Sequence, residues 1–576
     1  MKLKIYSFLS LFIFFTLSHG ARLLAQPLSG SYSINSAIAT GGTNFQSFND
    51  FASSINSNGI SSSVIVTVQP GSGPYQESVI FNSISGVSSS STITLEGSGE
   101  TITALTNTTD RHVVRLTDIR FFTINNLHVV RDPASTGGFY GIHIFNTGSD
   151  ITISNCDIDI GTSNSTLHGS IVASGSETSI LTTGDFHRLT ITGNATHGGG
   201  YGVTVFGLVS NLASDILIED NDIMDFHDNG VYLRETDGAL INGNRFDKNT
   251  VNTTGINAIQ IAQAANINTT ISNNFIKISQ TTNGSMTIRG IYLFNGTGHK
   301  VFNNVIYDVN LVSGNFVGIE IRTGATAPKI YFNTISIDNP NATTGNLYGI
   351  KEELSNTNTE IRNNMISISQ PSSGTKAALY LGATATLSSA FNSDYNNMYV
   401  PGGNIAIKGT STPILYPTLS DWQNASTQDM NSSDLDPAFV SLADPTPTNL
   451  SLDNTGVTIG GFDVDVFGTL RNSPPDIGAI EFVGTGVNGI NGISGLDLYP
   501  NPAGDYIVVK LPKLQSKNIK LCMYSPQGKL IRELNESILP GSEIHVNTES
   551  LSRGLYFIQG VAESEIVQGS FLKILN

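Results

Sequence analysis

Charge is scarce in this chain. Asp, Glu, Lys and Arg make up 13% of its 576 residues, against about 25% in an average soluble protein. Cysteine and tryptophan are nearly absent, with two of the first and one of the second. Cys156 and Cys522 fall in different expected domains, so no disulfide framework holds the fold and stability must come from packing. No basic stripe stands out and the formal net charge is −17, which argues against nucleic acid as a partner. Past the first 25 residues no run is apolar enough to cross a bilayer, so no transmembrane segment is expected in the mature chain. A spaced His/Cys metal set and a glycine-rich phosphate loop are both missing, and no cofactor is expected.

What the chain does hold is polar, uncharged and rich in turn formers, including 58 glycines. Such a composition suits strands and tight turns better than helices. A Gly-aliphatic step recurs along it: Gly141-Ile-His-Ile, Gly202-Val-Thr-Val, Gly230-Val-Tyr-Leu, Ala258-Ile-Gln-Ile, Gly290-Ile-Tyr-Leu, Gly318-Ile-Glu-Ile, Gly349-Ile-Lys-Glu and Ala378-Leu-Tyr-Leu. The spacing is 28–32 residues, with one interval of 61 that holds two periods. A second step, an aliphatic and two variable residues before Asn, gives Asn194, Asn221, Asn244, Asn274, Asn304, Asn333 and Asn364, with Cys156 in the equivalent place one step earlier. A fixed period of this length marks stacked coils. Asn at each strand-to-turn corner can bond backbone and its own copies in neighbouring coils.

The chain divides accordingly. Residues 1–25 read as a secretory signal, with Lys2 and Lys4 ahead of an apolar stretch from Ile5 to Leu17. Cleavage after Gly20 and cleavage after Ala25 both fit, and cleavage after Ala25, which removes Lys2, Lys4 and Arg22, takes the net charge from −17 to −20. Residues 26–122 hold an N-terminal cap and first coils. Within them, 44–58 have helical spacing, with Phe45, Phe48, Phe51, Ala52 and Ile55 on one face. That helix is expected to lid the open end of the stack. Strands are expected at Val64–Val68, Ser78–Phe81 and Thr92–Leu95. Residues 123–400 are the repeats, 401–483 the terminal coils and cap, 484–495 a Gly/Asn/Thr linker, and 496–576 a compact block of short alternating strands with a turn at Gln527-Gly528.

Particular motifs carry resemblances. Val68-Gln-Pro-Gly-Ser-Gly-Pro-Tyr-Gln-Glu-Ser-Val-Ile resembles the opening of pectin-esterase-like and pectate-lyase-like β-helices, and Asp476-Ile-Gly-Ala-Ile-Glu resembles the close of many secreted bacterial β-helix proteins. With the repeats, residues 30–483 resemble the right-handed parallel β-helix family of the pectate-lyase-like superfamily. In the last block, Leu498-Tyr-Pro-Asn-Pro-Ala, Met523-Tyr-Ser-Pro-Gln-Gly-Lys-Leu-Ile, Leu551-Ser-Arg-Gly-Leu-Tyr-Phe-Ile and Phe571-Leu-Lys-Ile-Leu are similar to the type A sorting domain of type IX secretion. Pro526 stands where an acidic residue is common. The resemblances imply an all-β chain, a right-handed parallel β-helix followed by a small antiparallel β-sandwich. They also imply a monomer, the type IX machinery as partner, and export followed by release or surface anchoring. The Gly-His-Gly and Asn-Thr-Asp signatures of polygalacturonase-like hydrolases are absent. So are Gly-x-x-Asp-Thr and Leu-Gly-Arg-Pro-Trp of pectin esterases, so the likeness transfers scaffold and not chemistry.

Chemistry is sought on the outward positions, since alternate residues of a strand face opposite ways and equivalent positions stack about 4.8 Å apart. One row reads His143, Thr204, Tyr232, Gln260, Tyr292, Glu320, Lys351, Tyr380, and the next Phe145, Phe206, Arg234, Ala262, Phe294, Arg322, Glu353, Gly382. In Gly318-Ile-Glu-Ile-Arg, Ile319 and Ile321 are expected in the core and Glu320 and Arg322 in solvent. The mixture suits a sugar platform, with His143, Tyr232, Arg234, Gln260, Tyr292 and Tyr380 as candidate binders. Glu320, Lys351, Arg322 and Glu353 form a two-by-two patch. It reads as an acid/base cluster with Arg neutralising a substrate carboxylate, as β-elimination of uronates requires. It also reads as an ion-pair lattice worth about 0–1 kcal/mol per exposed pair. Weaker candidates are the cluster His227, Asp228, Arg234, Glu235 and Asp237, and the locally basic stretch His112, Arg115, Arg120, His128, Arg131 and Asp132. Asp157 and Asp159 alternate on one face and could assist Ca2+, short of the six to eight oxygens that ion takes. The expected function is a secreted or surface protein that binds or degrades extracellular polysaccharide, lyase- or hydrolase-like. The alternative is a non-catalytic adhesin or structural surface protein.

Overall fold

A computed structural model describes residues 26–576 except 162–164, 251–254, 264, 281–285, 323, 354–355, 383–390, 410–411, 483–492, 512–518, 527–528, 539–540, 563–564 and 575–576. The expected signal segment, most of the expected linker and the Gln527-Gly528 turn lie outside the described residues. The repeats wind into a parallel solenoid. One coil contributes strands Ile256–Ala262, Thr270–Ser272 and Phe275–Gln280, and the next contributes Thr287–Phe294, Lys300–Phe302 and Val305–Leu311. The first two strands of each coil join a 27-stranded sheet, and the third joins a 12-stranded parallel sheet. The interior is a column of stacked aliphatics. Ile259, Ile291, Ile319, Ile350 and Leu379 are partners in successive coils, all buried in one core that runs from Leu28 to Trp422. Burying each such side chain contributes about 1.5–3 kcal/mol.

The repeated glycine has a steric cause. A Cβ on Gly290 would sit 2.6 Å from the Gly318 carbonyl oxygen and 2.7 Å from Ile306 Cδ1. It therefore faces inward, as does the adjacent Ile291, and the alternation slips by one residue at each such step. The coil hidden in the 61-residue interval is His168–Ser174, with Ile171 in register with Ile142.

The asparagines form the expected ladder. Asn274 Oδ1 accepts from Asn244 N and Nδ2, both at 3.0 Å, while Asn274 Nδ2 donates to Ile241 O (3.0 Å) and to Asn304 Oδ1 (2.9 Å). The pattern starts with Cys156 N donating to Asn194 Oδ1 and extends past Asn364 to Asn396. The residue ahead of each of Asn194 to Asn364 is left-handed, with φ of 52–67°, which turns each Asn inward. Gly, Asn and Asp take that conformation most readily, and Phe332 is the costly exception.

Both ends are closed. The helix Phe48–Asn58 starts at a Ser47 cap, three residues beyond the sequence expectation, because Phe45 belongs to a short strand. Phe48 and Phe51 pack edge-on against Tyr75 and Phe81, so the helix lids the first coils. The expected strands appear at Ile60–Val68, Val79–Phe81 and Ile93–Glu96. At the far end the hairpin Asn404–Lys408/Ile414–Tyr416 and the helix Leu419–Ser426 bring Trp422 over the last coil. Its indole donates to Asp429, which also receives Asn396, the last rung of the ladder. The chain then does more than cap. It runs back along the solenoid, meeting Asn397 through Ser433, Asn363 through Val457, Thr334 through Ala479 and Asn303 through Val464. The C-terminal block is two small sheets, of five and three strands and mostly antiparallel, around a separate core that includes Ile507, Leu521, Met523, Ile558 and Phe571.

Candidate functional site

The outward rows stack as the repeat spacing requires. His143, Val172, Thr204, Tyr232, Gln260, Tyr292, Glu320, Lys351 and Tyr380 are partners in successive coils. Beside them, Phe206, Arg234, Ala262, Phe294 and Arg322 form the second row. Five steps from Tyr232 to Tyr380 span about 24 Å at strand spacing. Cations lie over rings along this terrace: Arg234 over Phe206 (5.2 Å), Arg289 over Tyr292 (4.5 Å), Arg322 over Phe294 (5.4 Å) and Lys351 over Tyr380 (5.7 Å). Tyr348 and Tyr380 are 4.8 Å apart. Tyr232, Gln260, Tyr348, Lys351 and Tyr380 are half-buried and Arg322 is exposed.

Outward does not mean exposed. Glu320, expected in solvent, is fully buried: Arg289 and Lys351 close over it, the latter at 3.1 Å. Lys351 also reaches Glu353 at 2.7 Å, and Arg322 reaches Glu353 at 3.1 Å. The two-by-two patch is therefore a five-membered ion-pair lattice, with three cations to two carboxylates. Burial alone would lower the Lys351 ammonium, but Glu320 and Glu353 outweigh it and hold it above the ordinary lysine range. Burial likewise would raise the Glu353 carboxyl, but Lys351 and Arg322 hold it low. Arg322 Nη1 donates to the Tyr292 hydroxyl at 2.9 Å, and Tyr292 is buried beneath its two guanidiniums.

At the N-terminal end residues 175–184 cross the face. Arg115 pairs with Glu177 at 2.5 Å, and Ile180 packs with Tyr140, Val172, Tyr201 and Phe206. His143 lies underneath, bonded to Ser174 at 3.0 Å. Burial, helped by His112 and Arg115, pushes its imidazole down to about 3. His143 is thus off the open part of the terrace. The wall ends at Tyr201, whose hydroxyl donates to Asp228 at 2.7 Å; burial raises the Asp228 carboxyl.

The other candidates disperse. Of the 227–237 cluster, Asp228 serves Tyr201, Arg234 lies over Phe206 and Asp237 is in register with Ser214 on the adjoining face. The basic stretch does not gather into a patch. His112 is buried and pushed down to about 4 by that burial, Arg120 lies over Phe121, and Arg131 donates to Ser135 O. His128 sits on the 12-stranded sheet, 3.7 Å from Asp157, with His197 3.3 Å away on the other side. Asp157, Asp159, His197 and Asp225 line a shallow depression there. The hydrogen bond from His197 holds the Asp157 carboxyl low. Among the described residues, no group of three or more His, Cys, Asp or Glu is placed to hold a metal.

Sequence reasoning missed Arg289 and Tyr348. Both precede a repeat glycine, where the inward Gly-Ile pair shifts the phase of alternation. Extending the rows back across that shift would have found them.

Residues 140–335 match the family described as right handed beta helix region, and residues 497–572 match the secretion system C-terminal sorting domain. No curated protein matches the chain. Solved structures it is similar to include the GH136 lacto-N-biosidase of Eubacterium ramulus, at 10% identity and TM-score 0.36, over 56% of this chain and 64% of that one. The surface adhesin PfbA of Streptococcus pneumoniae is similar at 13% identity and TM-score 0.33, over 64% and 90%. The A-module of the mannuronan C-5 epimerase AlgE6 of Azotobacter vinelandii is similar at 12% identity and TM-score 0.32, over 68% and 95%. The chain spans 64% of the length of the lacto-N-biosidase. No helix among the described residues is long and apolar enough to cross a membrane. By its stacked coils and its two matched segments, the chain is a right-handed parallel β-helix repeat protein with a type IX secretion sorting domain, exported to the extracellular space or cell surface.

Proposed function

We propose that the terrace from Tyr232 to Tyr380 binds an extracellular polysaccharide laid along the solenoid axis, and that it binds without cutting. The observation that carries this reading is the run of rings and cations at strand spacing on one face. Rings cover sugar C–H surface, while Gln260, Lys351 and Arg322 are placed to bond hydroxyls or carboxylates. The lattice also weighs against catalysis at this face. Lys351 is held high and Glu353 low, so neither is poised to exchange a proton near neutrality.

A glycan array probed with the mature chain tests this. Tyr380→Ala and Arg322→Ala should each weaken binding about tenfold, equivalent to about 1.4 kcal/mol. Unchanged binding in both variants removes the terrace as the site. New unsaturated-uronate absorbance or reducing ends on pectin or alginate would replace binding with cleavage.

A further inference from the structure

We propose a second, chemically distinct site on the solenoid: Ser214, His187 and Asp185 form a nucleophile, base and orienting carboxylate that hydrolyse acyl esters. The strand Asp185–Thr192 carries Asp185 and His187 at alternate positions, and Ser214, on the short strand Ala213–Ser214 of the next coil, is the direct partner of His187. The Ser214 hydroxyl lies 2.9 Å from His187 Nδ1, and Asp185 Oδ1 lies 3.0 Å from His187 Nε2. Asp185 is held in turn by Asn211 Nδ2, which donates to it at 2.7 Å and lies 3.1 Å from His187 Nε2. Asn211 is itself fixed, since it closes the tight turn from Leu208.

This is the order of groups that activates a serine: a carboxylate orients an imidazole whose far nitrogen faces a hydroxyl. Nε2–H donated to Asp185 leaves Nδ1 as the acceptor for the Ser214 proton. Asp215 Oδ2 is a second acceptor at 3.3 Å, farther than the imidazole. The His187 and Asp185 side chains are 21% and 36% exposed, so a substrate reaches them from solvent. The trio lies on the face next to the terrace and shares no residue with it, so it stands or falls independently of glycan binding there.

The reaction balances with water alone. Ser214 Oγ bonds to the ester carbonyl carbon as its proton passes to His187 Nδ1. The ester C–O bond breaks and the alcohol leaves with that proton. Water, deprotonated by the same nitrogen, then attacks the acyl-serine. A carboxylic acid departs and the hydroxyl is restored. The substrate class is an acyl ester of a small acid, such as an acetylated sugar hydroxyl.

The mature chain incubated with a fluorophosphonate probe should become labelled at Ser214, located by peptide mass spectrometry, and should hydrolyse p-nitrophenyl acetate. Ser214→Ala should lose the label and at least 100-fold of the hydrolysis. His187→Gln, which leaves the hydroxyl in place, should lose both to a similar degree, with the melting temperatures of both variants unchanged. No label above the Ser214→Ala background, label at another residue, or a His187→Gln variant labelled like the parent would each show that the trio is only a hydrogen-bonded brace, and the proposal would fall.

Discussion

Glu352 interrupts a column that is otherwise aliphatic from Leu116 to Leu381, standing between Ile321 in one neighbouring coil and Leu381 in the other. Burial pushes its carboxyl up to about 7, against the opposing hydrogen bonds of Thr359 and Asn356. A carboxyl raised in this way binds its proton more tightly in the folded chain than in the unfolded one. Its contribution is fully present below the unfolded value near 4.5 and is lost as pH rises to about 7. The total is about 3 kcal/mol at 1.36 kcal/mol per pH unit. Glu352→Gln keeps the shape and removes the titration. The melting temperature of the parent should therefore fall relative to Glu352→Gln between pH 5 and pH 7.5, and parallel curves would show that the carboxyl is solvated. The sequence does flag this position, because Gly349-Ile-Lys-Glu breaks an aliphatic step. It does not reveal how fully the neighbouring coils enclose it.

The asparagine ladder is the element that the sequence predicts best, because its geometry repeats with the period. Each rung both accepts from the coil before and donates to the coil after, so one deletion breaks two interfaces. Asn274→Ala would strand the Asn244 backbone N–H and one Asn244 Nδ2 proton, the other Nδ2 proton staying with Ile218 O and Asn242 O, and would take one donor from the Ile241 carbonyl. At about 1–3 kcal/mol per stranded buried group, the expected loss is about 3 kcal/mol. Denaturant unfolding would measure it, with the exposed Asn392→Ala as control; equal losses would mean that water replaces the rung. Asn396 escaped the pattern because Ser393 occupies its aliphatic position, a change made where the ladder passes to Asp429. The terrace was legible only in part. Its rows follow from the repeat, but the burial of Glu320 and Tyr292 depends on where Arg289 folds over, and Arg289 sits across the phase slip at Gly290.

At the scale of the whole molecule, the period accounts for the stacked coils but says nothing about the return path of residues 427–482. That segment has no repeat of its own, and the solenoid residues it bonds lie 33 to 168 positions away in the chain. Arg471 pins it. Its guanidinium lies 4.0 Å over the Phe332 ring, pairs with Glu481 at 3.3 Å, and donates to Asn303 Oδ1 and Gly478 O at 3.0 Å. Both charged side chains are almost wholly enclosed, at 3% and 4% exposure. Arg471→Ala would leave Glu481 buried without its cation, a change that costs about 3–5 kcal/mol for pairs of this kind. Contacts in a stacked fold are mainly between neighbours, so the loss should stay local. Hydrogen exchange should quicken over residues 457–482 while the coils between 190 and 280 keep their protection. If protection fell equally in both regions, the returning segment and the solenoid would unfold as one unit, and the picture of a strap laid on a self-sufficient coil would be wrong.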